Sequence, residues 1–286
     1  MIKFGPSGNS ESFAREGYKH TKEMPEWLSK RNLEIFEYSF GRGILISAET
    51  ATEVGNIAKA NNIEITAHAP YFINFAALEQ EKIENSYNYI LNSVKIEKCF
   101  GGNRVVFHSG AQMKQDRAVA FDKVKAGVEK TIQRLLDAGY DDVYICPETM
   151  GKQGQIGTVQ EVIDLCKIHK NIIPCVDFGH VNSLLQGALK TTDDYKRIVL
   201  DPIIDPIIDQ LGYEKARIMH VHFSKIQYGA KGEIKHLTFE DTEYGPEFEP
   251  LAVALKEYKL EPYILSESAG TQAEDAAEMK RIFNSL

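Results

Sequence analysis

Short apolar runs alternate along this chain with longer stretches in which apolar residues recur every three to four positions. The short runs predict strands over Ile2–Phe4, Leu33–Tyr38, Ile63–Ala67, Arg104–Phe107, Val143–Cys146, Ile172–Val176, Ile218–Phe223 and Tyr263–Ser266. The periodic stretches predict helices over Phe13–Lys30, Ala51–Asn61, Glu79–Phe100, Arg117–Ala138, Val159–His169, Asp193–Leu211, Phe248–Tyr258 and Ala273–Phe283, with Pro25 starting a new turn and Gly139 acting as a stop. No Pro/Gly/Ser-rich linker divides the series, so one domain over residues 1–286 is expected. Strands that each lead into a helix describe a (β/α)8 TIM barrel more economically than an open doubly wound sheet.

In such barrels chemistry sits at the C-terminal ends of the strands. The run Ile173-Ile-Pro-Cys-Val-Asp177 ends in a carboxylate, with His180 just beyond it. Others deliver His68, His108, Glu148, His220 with His222, and Glu267 at or near their ends. A lone histidine is more often packed or solvated than a ligand, and His20 and His169, in helical segments, are read that way. Five histidines converging with Glu148, Asp177 and Glu267 are read instead as a metal centre. Imidazoles and carboxylates without thiolates suit zinc, manganese or iron(II) better than magnesium or calcium. The donors exceed what one ion needs, so two or three ions are expected, zinc first and manganese second, with Glu148 bridging as the catalytic carboxylate. His220 and His222 lie two apart on a strand and face the same side, so they serve neighbouring ions or one supports the other.

Composition narrows the partners. With 33 basic and 41 acidic residues the formal charge is −8, the wrong sign for non-specific gripping of phosphates. Three divalent ions would bring it to about −2, all of the change falling inside the cleft, so a focused positive site on an acidic body is compatible with a nucleic-acid substrate. Cys99, Cys146, Cys166 and Cys175 form no C-x-x-C pair and read as buried reduced thiols. No signal-peptide pattern or long apolar stretch occurs, so a cytoplasmic monomer away from membranes is expected. The Gly151–Gly157 run lacks the Gly-Lys-Ser/Thr ending of a phosphate loop. Pro202 and Pro206, in the echo Asp201-Pro-Ile-Ile-Asp205-Pro-Ile-Ile-Asp209, should start or kink a helix.

The blocks His68-Ala-Pro-Tyr-Phe-Ile-Asn74, Phe107-His-Ser-Gly110, Pro147-Glu148 through Gly154, Asp177-Phe-Gly-His180, Met219-His220 through Ser224-Lys225, and Leu265-Ser-Glu267-Ser together resemble the signature of endonuclease IV. That family, within the xylose-isomerase-like barrel superfamily, comprises trinuclear zinc enzymes that cut DNA at abasic sites. The resemblance implies that His68, His108 and Glu148 hold one ion, that Glu148, Asp177, His220 and Glu267 hold a second, and that His180 anchors a third. The family's Asp-x-His pair is matched only by Glu233 and His236, three apart instead of two. The family's first-strand Gly-x-His turn is replaced by Gly5-Pro-Ser-Gly8. Arg42, Tyr71 and His222 are the candidate contacts to DNA carrying an abasic lesion. The alternative is a one-metal sugar isomerase or epimerase of the same superfamily, for which Glu148, Asp177, His220 and Glu267 suffice and His68 and His108 are surplus.

Overall fold

Every barrel strand in this chain is short, so its two faces are easily separated by parity. Residues at one parity pack outward against helices and those at the other fill the barrel. The computed structural model describes residues 1–189 and 196–286. Its strands are β1 (Lys3–Pro6), β2 (Ile35–Ser39), β3 (Glu64–His68), β4 (Arg104–Phe107), β5 (Tyr144–Pro147), β6 (Cys175–Asp177), β7 (His220–Phe223), a hairpin of β8 (Ile226–Gly229) and β9 (Gly232–His236), and β10 (Tyr263–Ser266). Parallel pairing runs β2-β3-β4-β5 in one sheet and β6-β7-β10-β1 in the other. Parallel bridges between Ser7 and Glu37, Ile145 and Ile172, and Glu148 and Cys175 join the two sheets into a closed (β/α)8 barrel.

The outward residues, among them Phe4, Phe36, Ile65, Val105, Phe107, Ile145, Val221 and Ile264, belong to the main apolar core shared with the helices. Inward, Val106, Cys146, Ile173 and Cys175 form a separate apolar layer across the middle of the barrel. Above that layer the inward positions turn polar, and this change of character places the site. Closure on the β1–β2 side depends on a bare backbone: a Cβ on Gly5 would lie 1.7 Å from the carbonyl oxygen of Ile35.

The helices follow local signals. Asp116 caps Arg117–Asp137 by accepting from the Ala118 N–H at 2.9 Å. Thr158 and Glu161 form a reciprocal capping box at the start of Val159–Cys166. Gly101 and Gly139, both at positive φ, end the two 21-residue helices Gln80–Phe100 and Arg117–Asp137. The predicted helix Phe13–Lys30 is instead three short turns, Glu11–Arg15, Thr21–Glu23 and Met24–Ser29, because Gly17 and Pro25 interrupt it. The predicted helix Asp193–Leu211 begins outside the described residues. From Lys196 it runs in wide π-type turns to Ile204, with Pro202 inside, and continues as an α-helix from Asp205 with Pro206 in its first turn. A short helix, Phe178–Leu184, and the β8–β9 hairpin were not foreseen.

Gly5→Ala should destabilise the protein by about 3 kcal/mol or more, because the two nearest atoms the new methyl group meets are the backbone carbonyl of Ile35, which cannot swing aside as a side chain can. Urea denaturation would measure the loss; a midpoint equal to that of the parent would contradict so close an approach of β1 and β2.

Candidate metal centre

The polar layer is built by parity. On β3, β4 and β5, the residues in phase with Thr66, Val106 and Cys146 are His68, His108 and Glu148, at or just past the strand ends. Glu148 is fully buried and its two oxygens face different partners. Oε2 lies 3.1 Å from Nε2 of His68 and 3.0 Å from Nε2 of His108. Oε1 lies 3.2 Å from Nδ1 of His222 and 3.4 Å from Nδ1 of His180. Asp177 ends β6 and caps the helix Phe178–Leu184, its Oδ1 accepting from the His180 N–H at 2.7 Å. That cap sets His180 above the carboxylate. Oδ2 of Asp177 is buried without a hydrogen-bond partner.

Among the described residues four groups of donors lie close enough to share an ion: His68, His108 and Glu148; Glu148, Asp177, His222 and Glu267; His180, His236 and Glu267; and the fully buried Cys175, His220 and His222. The ring orientations fit metal ligation. Nδ1 of His68 contacts the carbonyl of Ala69 at 2.8 Å, Nδ1 of His180 that of Thr149 at 2.9 Å, and Nδ1 of His236 the Ser224 hydroxyl at 2.8 Å. In each case Nε2 is left for an ion, the arrangement that fixes a metal-binding tautomer. Together with the unpartnered Asp177 oxygen, this set of imidazoles and carboxylates fits a divalent-metal site.

The structure changes two expectations on β7. His220 is not the rim residue; it sits one layer down, fully buried, with Nε2 2.9 Å from Oε2 of Glu37. The strand runs on to Phe223, so the inward position reaching Glu148, Asp177 and Glu267 is His222, two residues further along. For the same reason His222 is no substrate contact: it is fully buried beneath the carboxylates. The wide spacing of Glu233 and His236 is absorbed by a β-bulge. Gln227 pairs with Lys235 but Tyr228 pairs with Glu233, leaving Ile234 without a partner. As a result both side chains face His180, whose Nε2 is 3.5 Å from Glu233 Oε2, while the His180 and His236 rings lie 5.5 Å apart. Tyr71 lines the mouth and accepts from Nε of Arg42 at 2.8 Å. His20 is exposed and His169 half-buried, both away from the centre.

Sequence reasoning missed Glu37 and Ser7. Glu37 is a fully buried carboxylate on β2, 2.8 Å from Nε2 of His222 through Oε1, although neither it nor the His220 contact is aligned as a hydrogen bond. The Ser7 hydroxyl donates to Glu37 at 2.8 Å and lies 3.3 Å from Glu267 Oε1. The available signal was parity: Ile35, Glu37 and Ser39 share the inward face of β2.

A cavity of about 240 Å³ opens above these groups, lined by His68, His108, His180, His236 and Glu267 with Tyr71 and Lys152. A larger cleft of about 550 Å³ lies at the opposite end of the barrel near Lys3 and Glu64, away from the donor groups.

The family model for xylose isomerase-like TIM barrels matches residues 25–284. The chain belongs to that family. An uncharacterized protein of Methanocaldococcus jannaschii is 30% identical to this xylose isomerase-like barrel over 286 residues, covering all of the chain and 98% of the relative. A probable endonuclease 4 of Mycoplasma pneumoniae is 26% identical over 241 residues, 82% of this chain and 78% of its own. The match to a probable endonuclease 4 of Mycoplasmoides gallisepticum, at 28% identity, spans 57% of this chain and 52% of that protein. Among solved structures, a D-tagatose 3-epimerase-like protein superposes with a TM-score of 0.72 at 19% identity over 99% of this chain and 96% of its own. Endonuclease IV from Thermus thermophilus superposes at 0.69 and 17% identity over 99% and 98%.

Without metal, the centre is held by protons. Burial opposes charge on His68, but Glu148 overcomes it and raises the imidazole to about 9. For His180 burial is likewise outweighed, here by Asp177 and Glu148, and the value rises to about 10. Burial lifts Asp177 to about 6, while Glu148, despite the same desolvation, is drawn well below the usual carboxylate range by His222 and His108. Both imidazoles titrate above their unfolded value of 6.5. Their contribution is therefore full below that pH and lost as pH rises through about 9 to 10. The metal-free protein should lose thermal stability between pH 7 and 10, and the zinc-loaded protein much less. Zinc uptake at pH 7 should release about three protons per chain, from His68, His180 and His222, and affinity should fall on acidification. Calorimetry in buffers of different ionisation enthalpy reads the proton count; a count of zero would contradict protonated His68 and His180.

Proposed function

We propose that this protein is a metal-dependent phosphodiesterase of the endonuclease IV type, hydrolysing DNA 5′ to an abasic site and leaving a 3′ hydroxyl. One observation carries the reading: Glu148 divides its oxygens between His68 with His108 on one side and His222 on the other. A barrel that needs a single ion has no use for the first pair. Bound ions would supply neutralisation of phosphate oxygens and a water acidic enough to attack phosphorus at neutral pH.

The chain's own residues supply the rest. Glu148 and Glu267 each belong to two donor groups, so they tie the ion positions together. Tyr71 and Phe72, about half exposed with ring centroids 4.7 Å apart and planes inclined by 48°, give the rim aromatic faces on one of which a base beside the lesion can stack. An abasic nucleotide has no base stacking to lose on entering the cavity, which favours it over an intact one. Arg42 and Lys152 are the cations near the mouth for the flanking phosphates. Relatives named probable endonuclease 4 support the same reading.

A one-ion sugar isomerase or epimerase is the second reading. The set Glu148, Asp177, His222 and Glu267 suffices for it, and the 240 Å³ cavity suits a small substrate.

The deciding assay uses a duplex with one tetrahydrofuran abasic analogue, with ion content measured on the same protein. Expected are two or three ions per chain, incision abolished by chelator and restored by zinc or manganese, and a loss of at least about 100-fold in His68→Ala and His108→Ala. One ion per chain, no incision and interconversion of ketohexose epimers would replace the nuclease with the sugar enzyme. Tyr71→Ala should raise KM for the abasic duplex by about tenfold with little change in metal content, since one stacked base is worth about 1–3 kcal/mol.

A further inference from the structure

We propose that Glu37 is a positioning residue, whose carboxylate faces Nε2 of His222 so that Nδ1 alone is presented to the ion shared with Glu148, Asp177 and Glu267. The role rests on the metal-centre reading given above.

His222 lies between carboxylates on both sides. Its Nδ1 is 3.2 Å from Glu148 and 3.5 Å from Glu267, and its Nε2 is 2.8 Å from Glu37. A neutral imidazole has one proton, and only the nitrogen without it can donate to a metal. With Glu148 and Glu267 alone, the proton would be drawn to Nδ1, the nitrogen an ion needs. An anion at Nε2 opposes that choice, which is the arrangement by which supporting carboxylates orient and tune metal-bound histidines.

Glu37 is itself held in place. Its second oxygen lies 2.9 Å from Nε2 of His220 and 3.3 Å from the Thr66 hydroxyl, and Ser7 donates to the first. His220 thus occupies the far side of the carboxylate and stops it from turning away from His222. Ser7 reaches Glu267 as well, so one hydroxyl at the end of β1 links the positioning carboxylate to a second ligand.

Glu37→Gln keeps the shape but removes the charge and offers one acceptor oxygen to two imidazoles. The readouts are zinc affinity by competition with a chromogenic chelator, and the ring nitrogen shifts of His222 in protein labelled with 15N-histidine and loaded with zinc. In the variant, one ion should bind about 10 to 100 times more weakly while the ion held by His68 and His108 is unaffected. The Nδ1-coordinated signature of His222 should be lost at zinc concentrations that saturate the parent, and Glu37→Asp, which keeps the anion, should recover part of both. Unchanged affinity and unchanged His222 shifts in a folded Glu37→Gln protein would overturn the role. If that variant does not fold, Ser7→Ala decides: a few-fold weakening of the same ion is expected, and parental affinity would overturn it. A parent protein that binds no ion would sink the metal-centre reading itself, whereas a zinc-loaded parent matched by its variants sinks only the role of Glu37.

Discussion

The interaction on which the rest depends is the burial of Glu148 among imidazoles. A carboxylate removed from water is costly to ionise, and the cost is met only by positive partners at hydrogen-bonding distance. Those partners come from β3, β4, β7 and the helix after β6, so no single segment can form the centre. The barrel must close first. Its closure in turn rests on β1 lying against β2 at Gly5, and the same contact brings Ser7 to Glu37.

Much of this was legible in the sequence. The short apolar runs coincide with the barrel strands, and the chemistry-bearing residues at or just past their ends, His68, His108, Glu148, Asp177 and Glu267, converge at one rim. What escaped has physical causes. Motif spacing assigned the ligand role to His220, yet the height at which a strand leaves the barrel is set by pairing with its neighbours, and β7 runs on to Phe223. Glu37 lay hidden because a carboxylate between Phe36 and Tyr38 looks like a solvent-facing residue on an alternating strand; only a closed barrel turns that face inward. The helix Phe178–Leu184 had no apolar period to betray it, being buried on nearly all sides.

The family membership leaves two chemistries standing, and the centre shows why one barrel can host both. The set around Glu148, Asp177, His222 and Glu267 is sufficient for one ion. His68 with His108 on one flank, and His180 with His236 and Glu233 on the other, extend it sideways without disturbing it. Addition of ligands at adjacent strand ends is cheap in this architecture, since each strand contributes one rim position independently of the others. Likeness of fold therefore says little about which reaction runs, and the occupancy of the flanks says more.

The bulge at Ile234 has a consequence for how such centres are recognised. Without the unpaired residue, two side chains would need to be separated by one intervening position to project alike; with it, a separation of two works equally well. What the geometry requires at such a place is the side of the ribbon, and the count of residues can differ by one wherever the ribbon puckers. A search that fixes the count will pass over members of this group that a search for same-sided donors would retrieve.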